Sequence, residues 1–542
     1  MTYIGLLKKI LQLNITTKPK LNKLKRNFCK SNNLSQLPTD IKLLAELKKQ
    51  SKKFSSNQYQ KLAKLLQVRP MRTLSGVSIL TVLTKPWPCP GKCVYCPSEA
   101  DMPKSYLKSE PAAQRAWLTK FDPIKQVKTR IQALRMTGHH TEKIELIILG
   151  GTFPAYPEKY QLDFIKKIFA TLNGQKSCES LEQTQKINES ANHKCVGLTI
   201  ETRPDFVNLN LIKHWRALGV TRVELGVQSL DQKTLKTVKR GHRLSCVKQA
   251  TRLLKNNGFK IVYHLMPGLP RTKIDRRSQT EKFATDEKVV RKLFTDKNYF
   301  PDQLKIYPCS VIKNTELYSW YKQGYYRPYT TDDLLKLLPR LKKIIPPFVR
   351  LERLVRDIPA PSIAGGSQMT NLRQILADKK IICRCIRCRE AKNLKLNQVD
   401  LTTLKRTYLA SGGREYFLSF EDRKRDKIFA LLRLRLPTKF NPKTTLASIK
   451  GCALIREVHT FGQTTPTKLK KNKTIQHLGL GKQLIAAAEK IALKQGFKKM
   501  AVISGVGTRG YYRKLGYELG EDGYMFKKLK KSPLLNITVI PF

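Results

Sequence analysis

Cys89, Cys93 and Cys96 stand in the run CPGKCVYC, a C-x3-C-x2-C spacing. Three thiolates so placed hold three irons of a [4Fe–4S] cluster and leave the fourth iron open. An electron-transfer cluster or a structural zinc would want a fourth cysteine. An open iron chelates the amino and carboxylate groups of S-adenosylmethionine (SAM), then passes an electron that breaks its carbon–sulfur bond. Half of a zinc knuckle, completed elsewhere in the chain, is the competing reading.

Two further groups carry chemistry. Cys383, Cys385 and Cys388 fall within six residues, in CRCIRC. Zinc normally takes four ligands, and Cys309 is the expected fourth, closing a structural site that staples residue 309 to the 380s. Free thiols or a second iron–sulfur cluster are the alternatives. The stretch QHLGLG, Gln476 to Gly481, has the form Q-x-x-G-x-G directly before a helical pattern. Glycines let the backbone approach a pyrophosphate, and a helix N-terminus offers N–H groups and a positive dipole end. A lone G-x-G is weak, since many helices begin after glycine. Its setting adds weight: the strand Glu457-Val458-His459-Thr460 precedes it, and a strand and the pair Tyr511-Tyr512 follow.

These residues need a frame, and the chain between Ser78 and about residue 345 offers one. IELIILGG, VGLTIETRPD, RVELGVQSL, KIVYHLMPGLP and QLKIYPC are short apolar runs, as of strands buried on both faces. Helical spacing lies between them, in DFIKKIFATL, LIKHWRALG and CVKQATRLLKNNG, which gives a parallel α/β pattern. The runs end at Gly150-Gly151-Thr152, Glu201-Thr202-Arg203, Gln228-Ser229, Pro267-Gly268 and Cys309. In a (β/α) barrel such ends build the active site. The stretches 175–194 and 271–289 read as surface loops. From about residue 400 a second α/β unit begins, with a hairpin and the strand IFALLRLRL. The expected division is a basic helical region over 1–70, loosely attached at its start; a barrel over 71–345; a zinc-binding linker over 346–400; and a second domain over 401–542.

The 542 residues carry 104 Lys plus Arg against 40 Asp plus Glu, a net charge of +64. Such an imbalance calls for a polyanionic partner, here nucleic acid. The 12 cysteines are clustered at ligand spacing rather than spread as a disulfide framework, which fits a reducing compartment. No apolar run is long enough to span a membrane, and the N-terminus lacks a secretory cleavage site, so a cytoplasmic location is expected.

The cysteine triad with Tyr95, set before such a barrel, resembles the radical SAM superfamily. The resemblance implies SAM contacts from Gly150, Gly151, Glu201 and Gln228. The Q-x-x-G-x-G turn and its flanking strands resemble GNAT acetyltransferases. That implies acetyl-CoA held by Glu457, Val458, His459 and Thr460, its pyrophosphate by Leu480, Gly481 and Lys482, and a thioester sulfur met by Tyr511 or Tyr512. Both halves together, with IILGGTF, IETRPD, ELGVQS, RGH, LKIYP, RDIP, REVHTFG and AVISGVGTRGYYRKLGY, resemble the Elongator catalytic subunit family from about Arg72 to about Leu529. Its members are tRNA uridine(34) acetyltransferases that make 5-carboxymethyluridine.

The reaction this implies starts with a 5′-deoxyadenosyl radical taking hydrogen from the methyl group of acetyl-CoA. The carbon radical adds to uridine carbon-5, and thioester hydrolysis leaves the carboxymethyl group. The family also places a lysine near acetyl-CoA, which falls on Lys143. Lys85, Lys260 and Arg203 are expected along the RNA path. Expected partners are tRNA and either a second copy of the chain or subunits of an Elongator-like complex. The first two cysteines stand closer here than in some members, and the tail KKSPLLNITVIPF lies outside the pattern. A protein lysine acetyltransferase with a structural iron–sulfur module is the runner-up, although +64 charges repel basic protein tails. An idle tRNA-binding scaffold is disfavoured by the intact motifs.

Overall fold

The computed structural model describes residues 2–70, 73, 75–175, 179–272, 274, 282–392, 394, 399–462 and 479–530. Gln476, the basic loop before it and the C-terminal tail lie outside these residues.

Seven strands form one parallel sheet: β1 (Ser78–Leu83), β2 (Lys143–Leu149), β3 (Lys194–Thr202), β4 (Arg222–Gln228), β5 (Lys260–Leu265), β6 (Gln303–Ile306) and, after the two-residue strand β7 (Val311–Ile312), β8 (Arg350–Arg353). Their spatial order follows the chain, so each crossover helix returns the chain to the next place along one curved wall. Such right-handed returns are the rule for parallel strands. The first and last strands do not pair, which makes this a partial barrel. β7 pairs instead with β9 (Ile363–Gly365) outside the wall.

The strand β2 alternates strictly. On β2, Ile144, Leu146 and Ile148 are buried against the outer helices, among them Glu158–Asn173 with Phe164, Ile165 and Ile168. Glu145, Ile147 and Leu149 face inward, into an open cavity. The inner face therefore lines an open cavity of mixed polar and apolar character, where strands packed on both faces were expected.

Three expectations need correction here. The barrel does not end at residue 345: β8 completes the sheet inside the stretch expected to be a linker. Of the segments expected as loops, 175–194 contains the helix Leu181–Asn188, which buries Thr184 and Asn188, and the helix Ala284–Thr295, which buries Val289, Val290 and Leu293, begins within 271–289. The N-terminal region is not loose at its start. Helices Tyr3–Gln12, Lys18–Ser31, Asp40–Lys49 and Ser56–Leu66 share a small core in which Leu6, Leu7, Leu21, Leu43 and Leu62 are buried. That unit docks on the barrel through Lys48 Nζ to the Arg135 carbonyl at 2.8 Å.

The C-terminal unit is a second seven-stranded sheet, β10 (Thr402–Ala410), β11 (Gly413–Asp422), β12 (Lys427–Pro437), β13 (Cys452–Thr460), β14 (Lys499–Val502), β15 (Glu518–Leu519) and β16 (Met525–Lys528). All pairs are antiparallel except β13 with β14. β14 accompanies β13 only over Cys452–Ile455, so residues 456–460 run on without it and the two strands splay. A bulge places Arg456 out of register against β12, between Ile455 and Glu457.

The two units share a packed interior at their seam. Phe417, Leu431, Leu454, Ile503 and Tyr524 belong to the same packed cluster as Val223, Phe259, Tyr299 and Leu304 of the barrel. Charges are buried at the same seam. Arg456 bonds both oxygens of Asp302, at 2.5 and 3.0 Å, and Glu415 at 2.8 Å. Arg435 reaches Glu415 at 2.8 Å, and Lys255 lies 3.5 Å from Asp302. Removing one member of such a set strands the others, at a cost of about 3–5 kcal/mol.

Candidate active site

The loop after β1 carries the cysteine triad. A side chain at Gly91 would meet Arg203 Nη1 at 2.5 Å and the sulfurs of Cys89 and Cys93 at 3.7 Å each. The glycine thus lets two thiols and a guanidinium converge. Arg240 Nη1 lies 3.5 Å from Cys93 Sγ, and Nη2 anchors the guanidinium by donating to the Gly226 carbonyl at 2.6 Å. Burial first, then Cys93 and Cys89, push the Cys96 thiol up to about 12, although Lys104 and Arg356 pull the other way.

The strand ends supply the rest of the mouth. Glu201 Oε2 accepts from Tyr106 at 2.6 Å and from the Gly150 and Gly151 amides at 3.4 and 3.3 Å. A Cβ at Gly150 would collide with Thr84 Oγ1, and its φ of 148° lies in glycine territory. Gln228 holds φ 66°, a strained value for a side chain of its size. Tyr95 Oη, Arg203 Nη1, Gln228 Oε1 and both ring nitrogens of His242 are buried without a hydrogen-bond partner among the described residues. Unpaired buried polar atoms are costly, so their concentration beside three thiols fits a bound polar group. The donor set suits a [4Fe–4S] cluster with SAM.

From this mouth a cavity of about 940 Å³ runs the length of the strands. Its walls include Cys89, Cys93 and Cys96 at one end and Arg433, Glu457, His459 and Phe461 of the C-terminal sheet at the other. Between them lie Glu145 bonded to Arg222, and Glu224 held by Lys305 and by His264 at 2.7 Å. Lys260 Nζ on β5 meets Glu457 Oε1 at 3.3 Å, and Arg433 meets Oε2 at 2.8 Å. Burial would raise the Glu457 carboxyl, but Lys260 and Arg433 bring it down to about 2. His459 donates from Nε2 to the Ser75 carbonyl at 2.7 Å, and burial lowers its pKa.

Strand alternation gives β13 two jobs. Glu457 and His459 face the barrel cavity, whereas Val458 and Thr460 face the helix Leu480–Lys494. A side chain at Gly481 would lie 3.3 Å from Tyr511 Oη and 3.7 Å from both Thr460 Oγ1 and Val458 Cγ1. Gly479, at φ 70°, caps that helix with no side-chain cap among the described residues, so its first N–H groups point to where an anion would sit in the splay between β13 and β14. The tyrosines divide: Tyr511 is 43% exposed, and Tyr512 is 7% exposed, its ring against Tyr517 in the core of the unit.

Lys143 begins β2, at the end far from Gly150, in register with Lys194. Gly507, in the turn before the helix Arg509–Arg513, packs so closely that a Cβ would lie 2.6 Å from Lys194 Cβ. Lys143 is thus one strand away from the tyrosine turn, and burial lowers its pKa. Lys85 stays at the outer rim, over the rings of Trp87 and Tyr160.

Cys309 corrects an expectation. The sulfurs of Cys383, Cys385 and Cys388 lie within 4.8 Å of one another, but Cys309 is not among them. It is buried at the barrel mouth, in the cluster that contacts Cys93 and Cys96. Its place at a strand end is what carries it there. The sequence reading also missed Glu145, Arg222, Glu224, His264 and Lys305. The available signal was a charged residue at alternate places in otherwise apolar strands.

Comparisons agree with this geometry. Residues 89–284 match the radical SAM superfamily model, and 301–382 the radical SAM C-terminal domain model. The tRNA uridine(34) acetyltransferase of Methanocaldococcus infernus is 42% identical over 501 residues, covering 88% of this chain and 90% of that protein. Human Elongator complex protein 3 is 36% identical, covering 94% of this chain and 93% of that protein. A solved structure of the archaeal M. infernus Elp3 with residues 1–46 deleted superposes with a TM-score of 0.72 at 40% identity, covering 84% of this chain and all of that one. This chain belongs to the radical SAM tRNA uridine(34) acetyltransferase family, which includes Elongator complex protein 3.

Proposed function

We propose that the chain installs a carboxymethyl group on carbon-5 of a tRNA wobble uridine, using acetyl-CoA. One observation supports this above the others: a single cavity is walled by the cysteine triad at one end and by the splayed strand of the acetyltransferase sheet at the other. A protein lysine acetyltransferase would have no use for that continuity.

A [4Fe–4S] cluster on Cys89, Cys93 and Cys96, with SAM, supplies one-electron cleavage and hydrogen abstraction. The chain's own residues bind and orient. Gly150, Gly151, Glu201 and Gln228 hold the SAM polar groups, with Arg203 and Tyr95 closing the mouth. Leu480, Gly481 and Lys482 hold the CoA pyrophosphate at the helix N-terminus, and 457–460 hold the pantetheine in the splay. Tyr511, beside Gly481, serves the phosphate end. Tyr512, deeper in the unit, donates to the thioester sulfur. Lys143 lies beside the same turn, and Lys260 meets Glu457 where barrel and sheet join. The basic N-terminal helices bind the tRNA backbone.

Cys383, Cys385 and Cys388 hold zinc, because their sulfurs sit close enough for one ion bonded at about 2.3 Å. About one zinc per chain is expected by elemental analysis, lost in Cys385→Ser and kept in Cys309→Ser.

The decisive experiment is anaerobic reconstitution followed by mass spectrometry of tRNA nucleosides after incubation with SAM, acetyl-CoA and a reductant. Carboxymethyluridine that disappears in Cys93→Ala is the expected result. Acetylated protein lysines with no modified uridine would sink the reading.

A further inference from the structure

Glu224, His264 and Lys305 come from three adjacent strands, β4, β5 and β6, and meet on the inner wall of the cavity. Nothing in the binding scheme above uses them. Glu224 Oε2 lies 2.7 Å from His264 Nε2, and Lys305 Nζ bonds the same oxygen. Burial alone would raise the Glu224 carboxyl, but Lys305 and then His264 override it and keep the group anionic. A carboxylate only accepts, so His264 carries a hydrogen on Nε2, and Nδ1 is the ring nitrogen turned away from Glu224. Among the described residues Nδ1 has no hydrogen-bond partner, and the ring lines the cavity, its edge to Tyr307 at 5.4 Å.

The ligand atoms of Glu201, Glu224 and His264 all lie within 4.8 Å of one another. A cation there would sit against the Lys305 ammonium, which already neutralises Glu224, so the group is poorly suited to a metal. A carboxylate-held imidazole with an open nitrogen is suited to moving a proton. Its place matters too. Through Glu201 it adjoins the mouth formed by Gly150 and Gly151, not the splay at 457–460. If the chain carboxymethylates uridine, the acetyl group is joined to the base before its thioester is opened, so the thioester that Tyr512 meets in the initial acetyl-CoA complex has moved to this end of the cavity when hydrolysis begins.

We propose that His264 is the general base for that hydrolysis. Its Nδ1 takes a proton from a water molecule as the water oxygen bonds to the thioester carbonyl carbon. The carbon–sulfur bond breaks, and the imidazolium returns the proton to the departing CoA thiolate. The products are the carboxymethyl group, which ionises to solvent, and free CoA. No oxidant or reductant is consumed in this step. Glu224 is a positioning residue that fixes the tautomer, and Lys305 holds Glu224.

The test uses full-length, reconstituted His264→Asn protein with tRNA, SAM, acetyl-CoA and a reductant. The expected result is continued release of 5′-deoxyadenosine, a fall in carboxymethyluridine on the order of 100-fold, and tRNA carrying a uridine–CoA thioester. Hydroxylamine would convert that adduct to a hydroxamate with its own mass. A second readout needs neither cluster nor SAM. In 15N-histidine-labelled protein, the resonance lost in His264→Asn is expected to show an unprotonated Nδ1 and a bonded Nε2–H. Wild-type yield of carboxymethyluridine in the variant overturns the proposal. Loss of 5′-deoxyadenosine together with product, or a protonated Nδ1 at neutral pH, overturns it too. If the wild-type protein itself makes no carboxymethyluridine, the functional reading fails first and takes this inference with it.

Discussion

At the residue scale, the two tyrosines make separable predictions. Tyr512→Phe removes a donor from the thioester sulfur, and turnover is expected to fall on the order of 100-fold with acetyl-CoA affinity little changed. Tyr511→Phe is expected to raise the KM for acetyl-CoA and spare kcat, since Tyr511 Oη faces the Gly481 turn. Steady-state kinetics of tRNA-dependent acetyl-CoA turnover separates the two. What the sequence showed at this scale was whatever shares one loop. Cys89, Cys93 and Cys96 announce themselves by spacing, as do Gly479 and Gly481. Glu224, His264 and Lys305 sit on three strands with some 80 positions between the first and the last, and no spacing rule joins them. Cys309 misled because a cysteine at a strand end looks free to travel, whereas a barrel fixes it at the mouth.

At the element scale, the seam depends on close backbone approach. Gly505 precedes the Val506–Thr508 turn, and a Cβ there would collide with the Val196 carbonyl on β3. Gly505→Ala is expected to cost about 1–3 kcal/mol, read as a lower denaturant midpoint, because neither backbone can yield. The strand pair β12 and β13 adds an acid-labile term. Glu457 titrates near 2 when folded, against its ordinary 4.5. A depressed carboxyl contributes stability above pH 4.5 and loses it as pH falls toward 2. Wild-type stability is therefore expected to drop across that window more steeply than that of Glu457→Gln, measured by denaturant titration at several pH values. The apolar strands and amphipathic helices were legible because each repeats its period several times. β8 was not. RLER is four residues long and three of them are charged, so it never reads as a barrel strand until its partner β6 is seen.

At the scale of the whole molecule, +64 charges predict a strongly salt-dependent partner. The logarithm of the tRNA affinity is expected to fall with the logarithm of salt concentration with a slope of about −5 or steeper. A flat dependence would move recognition away from the phosphate backbone. Charge balance was visible in composition alone. The arrangement of the two units was not, because the contacts between them pair residues as distant as Arg216 with Gly523 and Asp302 with Arg456.

That seam has a consequence for heredity. Leu431, Leu454, Ile503 and Tyr524 complete an interior that Val223, Phe259 and Leu304 begin. Two separate genes, one for each half, would each encode a protein with the side chains of this seam open to water. A recombinant joining the barrel of one lineage to the acetyltransferase of another would have to restore complementary packing at these positions. The two chemistries therefore pass from parent to offspring as one allele.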